Sequence, residues 1–388
     1  MTSGLDLAAL DRQIRPLLAQ QRYEEAEALL RPLVASGTAP LAVWRWLASA
    51  LRPQGKIAET RAIQEMVVAH VPGDYAARFD LSETLLLMGE FERGWREYRY
   101  RYSLAHTASM ERKVQRPRWN GQPIPGKTLL IHDEQGFGDT FQFLRMVPWA
   151  KAKSGARVIL EVSREVLLLA ARTRGFDHIL ARGELPPPFD AHCELMSLPM
   201  AMGLTLADLP GPTPYVQPDA QRVERWRKRL ATLPRPWVAL VWAGRPTHPN
   251  DANRSLALEQ LAPLAHCEAT FLSLQKGPAE AQAGRPPDGM SLASLSSEID
   301  DFEDTAAILS LADLLVSVDS SPVHLAGALG RPVWVMLPFV PDWRWLLARE
   351  DSPWYPHARL FRQPARGDWA SVIAAIAREL GSFVRSRL

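Results

Sequence analysis

Val316-Ser317-Val318-Asp319-Ser320-Ser321-Pro322-Val323-His324-Leu325-Ala326-Gly327-Ala328-Leu329-Gly330-Arg331-Pro332 is the stretch on which the fold turns. Its apolar, β-branched opening reads as a buried strand that ends at Val318. Ser320 or Ser321 then stands where a helix needs its N-cap, with Pro322 at or near the first helical position. The spacing predicts a helix over 322–329. Such a helix turns unpaired backbone N–H groups and the positive end of its dipole toward the strand end, which suits phosphate oxygens. The hydroxyls of Ser320 and Ser321 add donors, and His324 lies one turn in, within reach of the same phosphate or a ribose. The same residues also suit a well-capped helix with a packed histidine.

Outward from this stretch, strands alternate with helices. Around it, strands are expected over 237–242, 270–274 and 333–336, with helices over 220–230, 304–312 and 370–380. Nearer the N-terminus, strands are expected over 128–132 and 157–161, with helices over 140–153 and 164–174. This alternation means βαβ units and parallel sheets. Two such blocks, joined near 217–236, predict two Rossmann-like lobes facing a cleft. Ligands in such sheets sit beyond the carboxyl ends of the strands.

The first 110 residues read differently. Gly55 and Gly89 stand 34 apart, as do Ile57 and Phe91, and Tyr23 lies 34 before Ile57. Leu17, Leu51 and Leu85 share that register, with Gln21 in place of the turn glycine in the first copy. A 34-residue period of helix pairs is the tetratricopeptide pattern, in which stacked pairs build one core. The expected organisation is a tetratricopeptide-like array over 1–110, a Pro- and Gly-punctuated linker over 111–126, a first Rossmann-like lobe over 127–218, a second over 219–365 and a closing helix over 366–388. The array either binds a partner or braces the lobes.

Composition narrows the functional classes. The 388 residues are 47% hydrophobic and 23% charged with net charge +2, which gives no general drive toward nucleic acid or an anionic membrane. Two cysteines, Cys193 and Cys267, lie in no metal or redox spacing, which fits a reducing cytoplasm. Residues 1–10 lack a basic and then apolar signal pattern, and no apolar run is long enough to span a bilayer. The nine histidines form no close ligand pair, and neither a Walker loop nor a Gly-x-Ser-x-Gly elbow occurs.

Candidate site residues follow from strand ends. Asp139, in the turn Gly136-Phe137-Gly138-Asp139, is the expected general base or else a helix cap, with Asp133 and Glu134 as rival acids. Gly244, in Trp242-Ala243-Gly244, allows close backbone approach to a ligand. Arg254 in a polar loop, and Lys276 in Gln275-Lys276-Gly277, read as counter-charges for a diphosphate. The acidic run Ile299-Asp300-Asp301-Phe302-Glu303-Asp304-Thr305 suits a helix start, and a metal site there is disfavoured. Trp334, Trp343 and Trp345 form an aromatic cluster able to stack on a sugar or to fill a hinge.

Asp-Ser-Ser-Pro-Val-His followed by Ala-Leu-Gly-Arg-Pro resembles the C-lobe motif of bacterial heptosyltransferases, glycosyltransferase family nine. The Gly-Asp pair at 138–139, Trp242-Ala243-Gly244, Asn253-Arg254-Ser255-Leu256 and Gln275-Lys276-Gly277 fall in the order of that family's landmarks. The resemblance covers roughly 127–365; Ser321-Pro322 and Arg254 depart from the usual family residues, and a Trp-Pro pair is absent. Repeats joined to such a module also resemble the architecture of O-linked N-acetylglucosamine transferases. The resemblance implies a GT-B fold and an inverting, metal-independent glycosyltransferase needing no cofactor beyond its nucleotide-sugar donor. It implies Asp139 as base and donor contacts from Gly244, Arg254, Gln275, Lys276, Asp304, Thr305, Asp319, Ser320, Ser321 and His324. The acceptor is a hydroxyl of a protein or glycan. The alternative is an inactive GT-B-like module whose repeats act as a protein-binding scaffold.

Overall fold

The computed structural model describes residues 5–35, 37–104 and 111–385. The chain forms two units: Met1–Glu111 with Phe339–Leu347, and Arg112–Pro338 with Ala348–Leu388. Residues 105–110, at the end of the expected repeats, lie outside the described residues, as do 1–4 and 386–388.

The first unit is helical: α1 (Leu7–Ala19), α2 (Tyr23–Val34), α3 (Leu41–Leu51), α4 (Ile57–His70), α5 (Tyr75–Leu87) and α6 (Phe91–Tyr98). Helices open at Leu7, Leu41 and Tyr75, and again at Tyr23, Ile57 and Phe91, each series in steps of 34. Asp6 and Asp74 cap α1 and α5 by accepting from first-turn amides at 3.0 Å. Gly55 and Gly89 take positive φ (76° and 81°) between paired helices, and Gln21 adopts the same region (58°) where the first copy lacks glycine. Ile14, Leu30, Val43, Leu47, Leu51, Ile63 and Val67 build a shared core. Arg45, Arg52, Asp80 and Glu83 line a groove of about 220 Å³ in this unit. Trp343 packs edge-on against Trp95 (5.1 Å between centroids) and Tyr98 (6.2 Å). Trp343 and Trp345 are therefore buried core of the helical unit. Their burial speaks against sugar stacking, and Trp334 packs instead with Phe361 and Phe383 of the second unit.

The second unit contains two parallel sheets. In the first lobe, β1 (Thr128–His132), β2 (Arg157–Val162), β3 (His178–Ala181) and β4 (Ala191–Glu194) pair in the order β3-β2-β1-β4. The second sheet comprises β5 (Trp237–Val241), β6 (Thr270–Ser273), β7 (Leu292–Ser294), β8 (Leu314–Val318), β9 (Val333–Leu337) and β10 (Ala358–Arg362), in the order β10-β9-β8-β5-β6-β7. Residues of β5, β8 and β9 are buried throughout, as strands covered on both faces must be. The covering helices are α7 (Phe137–Phe143), α8 (Val147–Ser154), α9 (Leu167–Ala171) and α10 (Leu198–Met202) on the first lobe. On the second they are α11 (Ala220–Leu230), α12 (Asp251–Arg254), α13 (Phe302–Leu311), α14 (Ser321–Ala328) and α15 (Trp369–Arg385).

Two helices are shorter than expected. The 140–153 stretch is split by a 3-10 turn at Leu144–Met146, followed by Pro148, which has no amide to continue the ladder. The 164–174 stretch reduces to α9, preceded by another 3-10 turn. Among the described residues, no helix is long and apolar enough to cross a membrane.

Candidate active site

The β8–α14 corner adopts the predicted strand–turn–helix form. Ser320 is the N-cap residue, in extended backbone, but its hydroxyl turns back to donate to the Val318 carbonyl at 3.2 Å and does not cap the helix. The Val323 amide bonds the Ser320 carbonyl at 3.0 Å. First-turn amides thus face the strand end without a side-chain acceptor from Ser320, the arrangement that receives an anion. His324 is buried; its Nδ1 lies 2.9 Å from the Tyr355 hydroxyl and its Nε2 3.9 Å from an Asp319 carboxylate oxygen.

Arg254 joins this corner. At the end of α12 it donates from Nη1 to the Asp319 carbonyl at 2.9 Å and from Nε to Asp251 at 3.3 Å. Gly244 makes that position available. A Cβ there would sit 2.5 Å from Arg254 Nη2 and 2.7 Å from an Asp251 oxygen, so any larger residue displaces the arginine. The Gly244 amide donates to Ser255 Oγ at 2.9 Å, which ties the two loops together.

The first lobe contributes α7, which packs against α14. Asp139 is half-buried in the first turn of α7, with one carboxylate oxygen accepting from the Gly136 amide at 2.8 Å. Because α7 starts at Phe137 rather than at the expected 140, Asp139 is its third residue and reaches back to the Gly136 amide, and does not stand at the N-cap as the alternative reading had it. Its neighbour Gly138 lies against the donor corner: a Cβ there would meet His324 Cδ2 at 2.8 Å and Ser321 Cα at 3.3 Å. Phe137 and Phe141 both meet Phe302, at the start of α13, edge-on at 5.1 Å. Gly138→Ala is expected to force His324 away from Tyr355 or the lobes apart. Anion affinity at this corner should then fall at least about tenfold, some 1.4 kcal/mol. Calorimetry of the variant reads this directly, and unchanged affinity would show that the contact has no functional weight.

Gly244, Arg254, Asp319, Ser320, Ser321 and His324 are thus gathered around one corner, against which α7, the helix that bears Asp139, packs; four other expected residues are held in bonds of their own. Gln275 accepts from the Trp242 and Ala243 amides at 3.0 and 2.9 Å and donates to the Ala243 and Lys276 carbonyls, so its amide cross-links loops. Lys276 donates to the Ser296 and Ile299 carbonyls at 2.7 and 3.1 Å. Thr305 donates to the Asp301 carbonyl. Asp304 has no exposed side-chain surface and accepts from Arg222 (2.8 Å), Arg225, Trp226 Nε1 (2.9 Å) and the Asp300 amide (3.1 Å). Partners distant in sequence thus occupy the Asp304 carboxylate, whereas Thr305 makes only a local bond within its own helix turn. Of the rival acids, Asp133 is locked by Arg182, Ser163 and Thr140.

Two groups of residues escaped the sequence reading. Arg145 donates to the Trp354 and Pro210 carbonyls and to the Tyr215 hydroxyl, stacking on Tyr215 and Tyr355 at 4.7 and 4.8 Å. Tyr215 in turn donates to the Phe141 carbonyl of α7, so one network buttresses both α7 and His324. His132, His192 and Glu194 meet inside the first lobe. Burial pushes the His132 imidazole down to about 3, against the opposing pull of Glu194. Arg145 meets partners far along the chain, and His132 stands 60 positions from His192, so the pair His192 and Glu194 alone gives no local motif.

Comparison with known proteins agrees with this geometry. Residues 269–335 match the family Glycosyltransferase family 9 (heptosyltransferase), a segment that holds the β8–α14 corner. Protein FlbA of Caulobacter vibrioides is 28% identical over 339 residues, 81% of this chain and 56% of that protein, so the chain spans little more than half of this curated relative. A family 9 glycosyl transferase from Veillonella parvula aligns over 69% of this chain and 99% of its own, with a TM-score of 0.50 at 10% identity. ADP-heptose lipopolysaccharide heptosyltransferase II of E. coli aligns over 67% and 99%, with a TM-score of 0.50 at 13% identity. The likeness to an O-linked N-acetylglucosamine transferase of Thermobaculum terrenum is weak. The second unit therefore shares the fold of the heptosyltransferases, and its residues 269–335 match glycosyltransferase family 9.

Proposed function

We propose that the second unit is an inverting glycosyltransferase of the two-lobed GT-B type. It moves a sugar from a nucleoside-diphosphate sugar to a hydroxyl of a protein or glycan, with no metal at the diphosphate. The observation that carries this reading is the meeting of α7, with Asp139, and the α14 corner, with Arg254, Ser320, Ser321 and His324. First-turn amides of α14 and the Arg254 guanidinium take the diphosphate, whose growing charge they stabilise as the sugar bond breaks. His324, held by Tyr355, donates or accepts at a phosphate or ribose oxygen. Asp139 takes the proton of the acceptor hydroxyl as that oxygen attacks the anomeric carbon from the face opposite the leaving diphosphate. The helical unit is read as a tetratricopeptide-type array, on the strength of its 34-residue recurrence, that binds or braces. A cytoplasmic site fits its two free cysteines.

Calorimetry with UDP, GDP, ADP and TDP tests the donor site. One of the four should bind wild type, and Arg254→Ala should weaken it by roughly 1.5–3 kcal/mol, about ten- to a hundredfold, as expected for losing a charge-assisted hydrogen bond. Binding of none would remove the donor site. A scaffold without catalysis is the second reading, favoured by the internal engagement of Lys276, which leaves fewer cations for a diphosphate. Nucleotide affinity without donor hydrolysis or transfer over a broad acceptor panel would select it.

A further inference from the structure

We propose that the first lobe holds a divalent transition-metal ion between His132, His192 and Glu194, at a site separate from the donor corner. The sheet register creates the cluster. On adjacent parallel strands, Leu130 pairs with His192 and His132 with Glu194, and paired residues share a face, as do residues two apart. His132, His192 and Glu194 therefore project to one side at the carboxyl ends of β1 and β4. All three are buried, at 1%, 3% and 1% exposure, and their ligand atoms lie within 4.8 Å of one another.

The spacing suits a metal. His132 Nε2 and His192 Nδ1 are 3.2 Å apart. Two imidazole nitrogens bound to a tetrahedral zinc at about 2.05 Å stand about 3.3 Å apart. Bringing a Glu194 oxygen to the same separation needs a shift of at most roughly 1.5 Å. Two imidazoles and a carboxylate form a donor set for zinc or iron(II), with room for a further ligand.

The surroundings are built as an outer shell. Arg118 donates to Glu194 at 2.8 Å, which orients the carboxylate as second-shell partners do. Glu161, paired with His132 from β2, brings a second buried carboxylate to the same face and is held by Arg112. Its other oxygen has no hydrogen-bond partner among the described residues. That carboxylate offers either a fourth ligand or compensating charge. The ion would clamp β1 to β4 directly ahead of the loop that leads from Asp133 to Asp139. This role is structural and stands apart from the transferase reading.

The test uses the full chain, stripped with a chelator and titrated with Co²⁺ and then Zn²⁺. One equivalent of Co²⁺ should produce visible ligand-field bands that Zn²⁺ abolishes. X-ray absorption of the zinc-loaded protein should report two imidazole nitrogens and carboxylate oxygen. His192→Gln and Glu194→Gln should each weaken binding more than tenfold. No saturable binding by wild type, or binding unchanged in His192→Gln, overturns the proposal and leaves a buried histidine–histidine hydrogen bond. If both variants misfold, the absorption spectrum of the wild type decides: fewer than two imidazoles at the metal overturns the site.

Discussion

Asp139→Asn is expected to lower sugar transfer by about 10²–10⁴-fold while donor-diphosphate affinity and thermal stability stay near wild type. The substitution separates the two roles of this carboxylate. As a cap, Asp139 accepts from the Gly136 amide at 2.8 Å, and an asparagine carbonyl oxygen accepts equally well. As a base, it must take a proton, and an amide cannot. A residue that only capped α7 would therefore be replaced with almost no loss of turnover. Asp139→Ala complements this test: it loses both roles and should also cost about 1 kcal/mol of stability. On the proposed mechanism, with Asp139 as base and the diphosphate on Arg254 and α14, the rate effect belongs in kcat. Full turnover by Asp139→Asn would sink the assignment and leave Glu134, buried two residues after the end of β1, as the acid to examine.

The parts of the molecule that were legible in the sequence are those encoded locally. The strand–Ser–Ser–Pro–helix succession at 314–329 specified a strand end, a cap position and a preset first turn, and the structure has all three. The 34-residue steps placed helix starts correctly because each copy repeats its own turn and apolar register. Arg254 was expected in a polar loop but ends α12, and the close approach at Gly244 is to Arg254 itself, where the sequence suggested a ligand. Side-chain partners were not readable. Asp304 looked like a helix-start acid open to ligand, yet Arg222, Arg225 and Trp226, 78 to 82 positions earlier in the chain, close over it. Lys276 looked like a free counter-charge, but two carbonyls of a loop twenty and twenty-three positions on engage it. The histidine pair depends on β4 lying beside β1, and nothing local announces that strand order. Trp343 and Trp345 were misread for a similar reason: the chain leaves the second unit after β9 and lays them into the helical core.

Asp304→Ala should destabilise the protein by roughly 3–5 kcal/mol, the range for breaking a buried charge network. The cost has identifiable sources. The Trp226 indole N–H, on a side chain 2% exposed, and the Asp300 amide both lose an acceptor, at about 1–3 kcal/mol for a buried group. Arg222 keeps Asp301 and Arg225 retains access to water, so their share is smaller. Burial alone would push the Asp304 carboxyl upward, yet the Arg222 guanidinium and the Trp226 N–H outweigh it and hold it below the usual range. A depressed folded value means that the stabilisation is present above the ordinary carboxylate pKa of about 3.9 and is lost as pH falls through the folded value. Calorimetric unfolding of variant and wild type should therefore diverge most near neutral pH and converge in acid. A gap that stays constant down to pH 3 would show that shape, not charge, is what Asp304 supplies. With every Asp304 oxygen occupied by protein donors, the variant should also bind the diphosphate with unchanged affinity at temperatures where it remains folded. A selective loss of nucleotide affinity would restore Asp304 to the donor site.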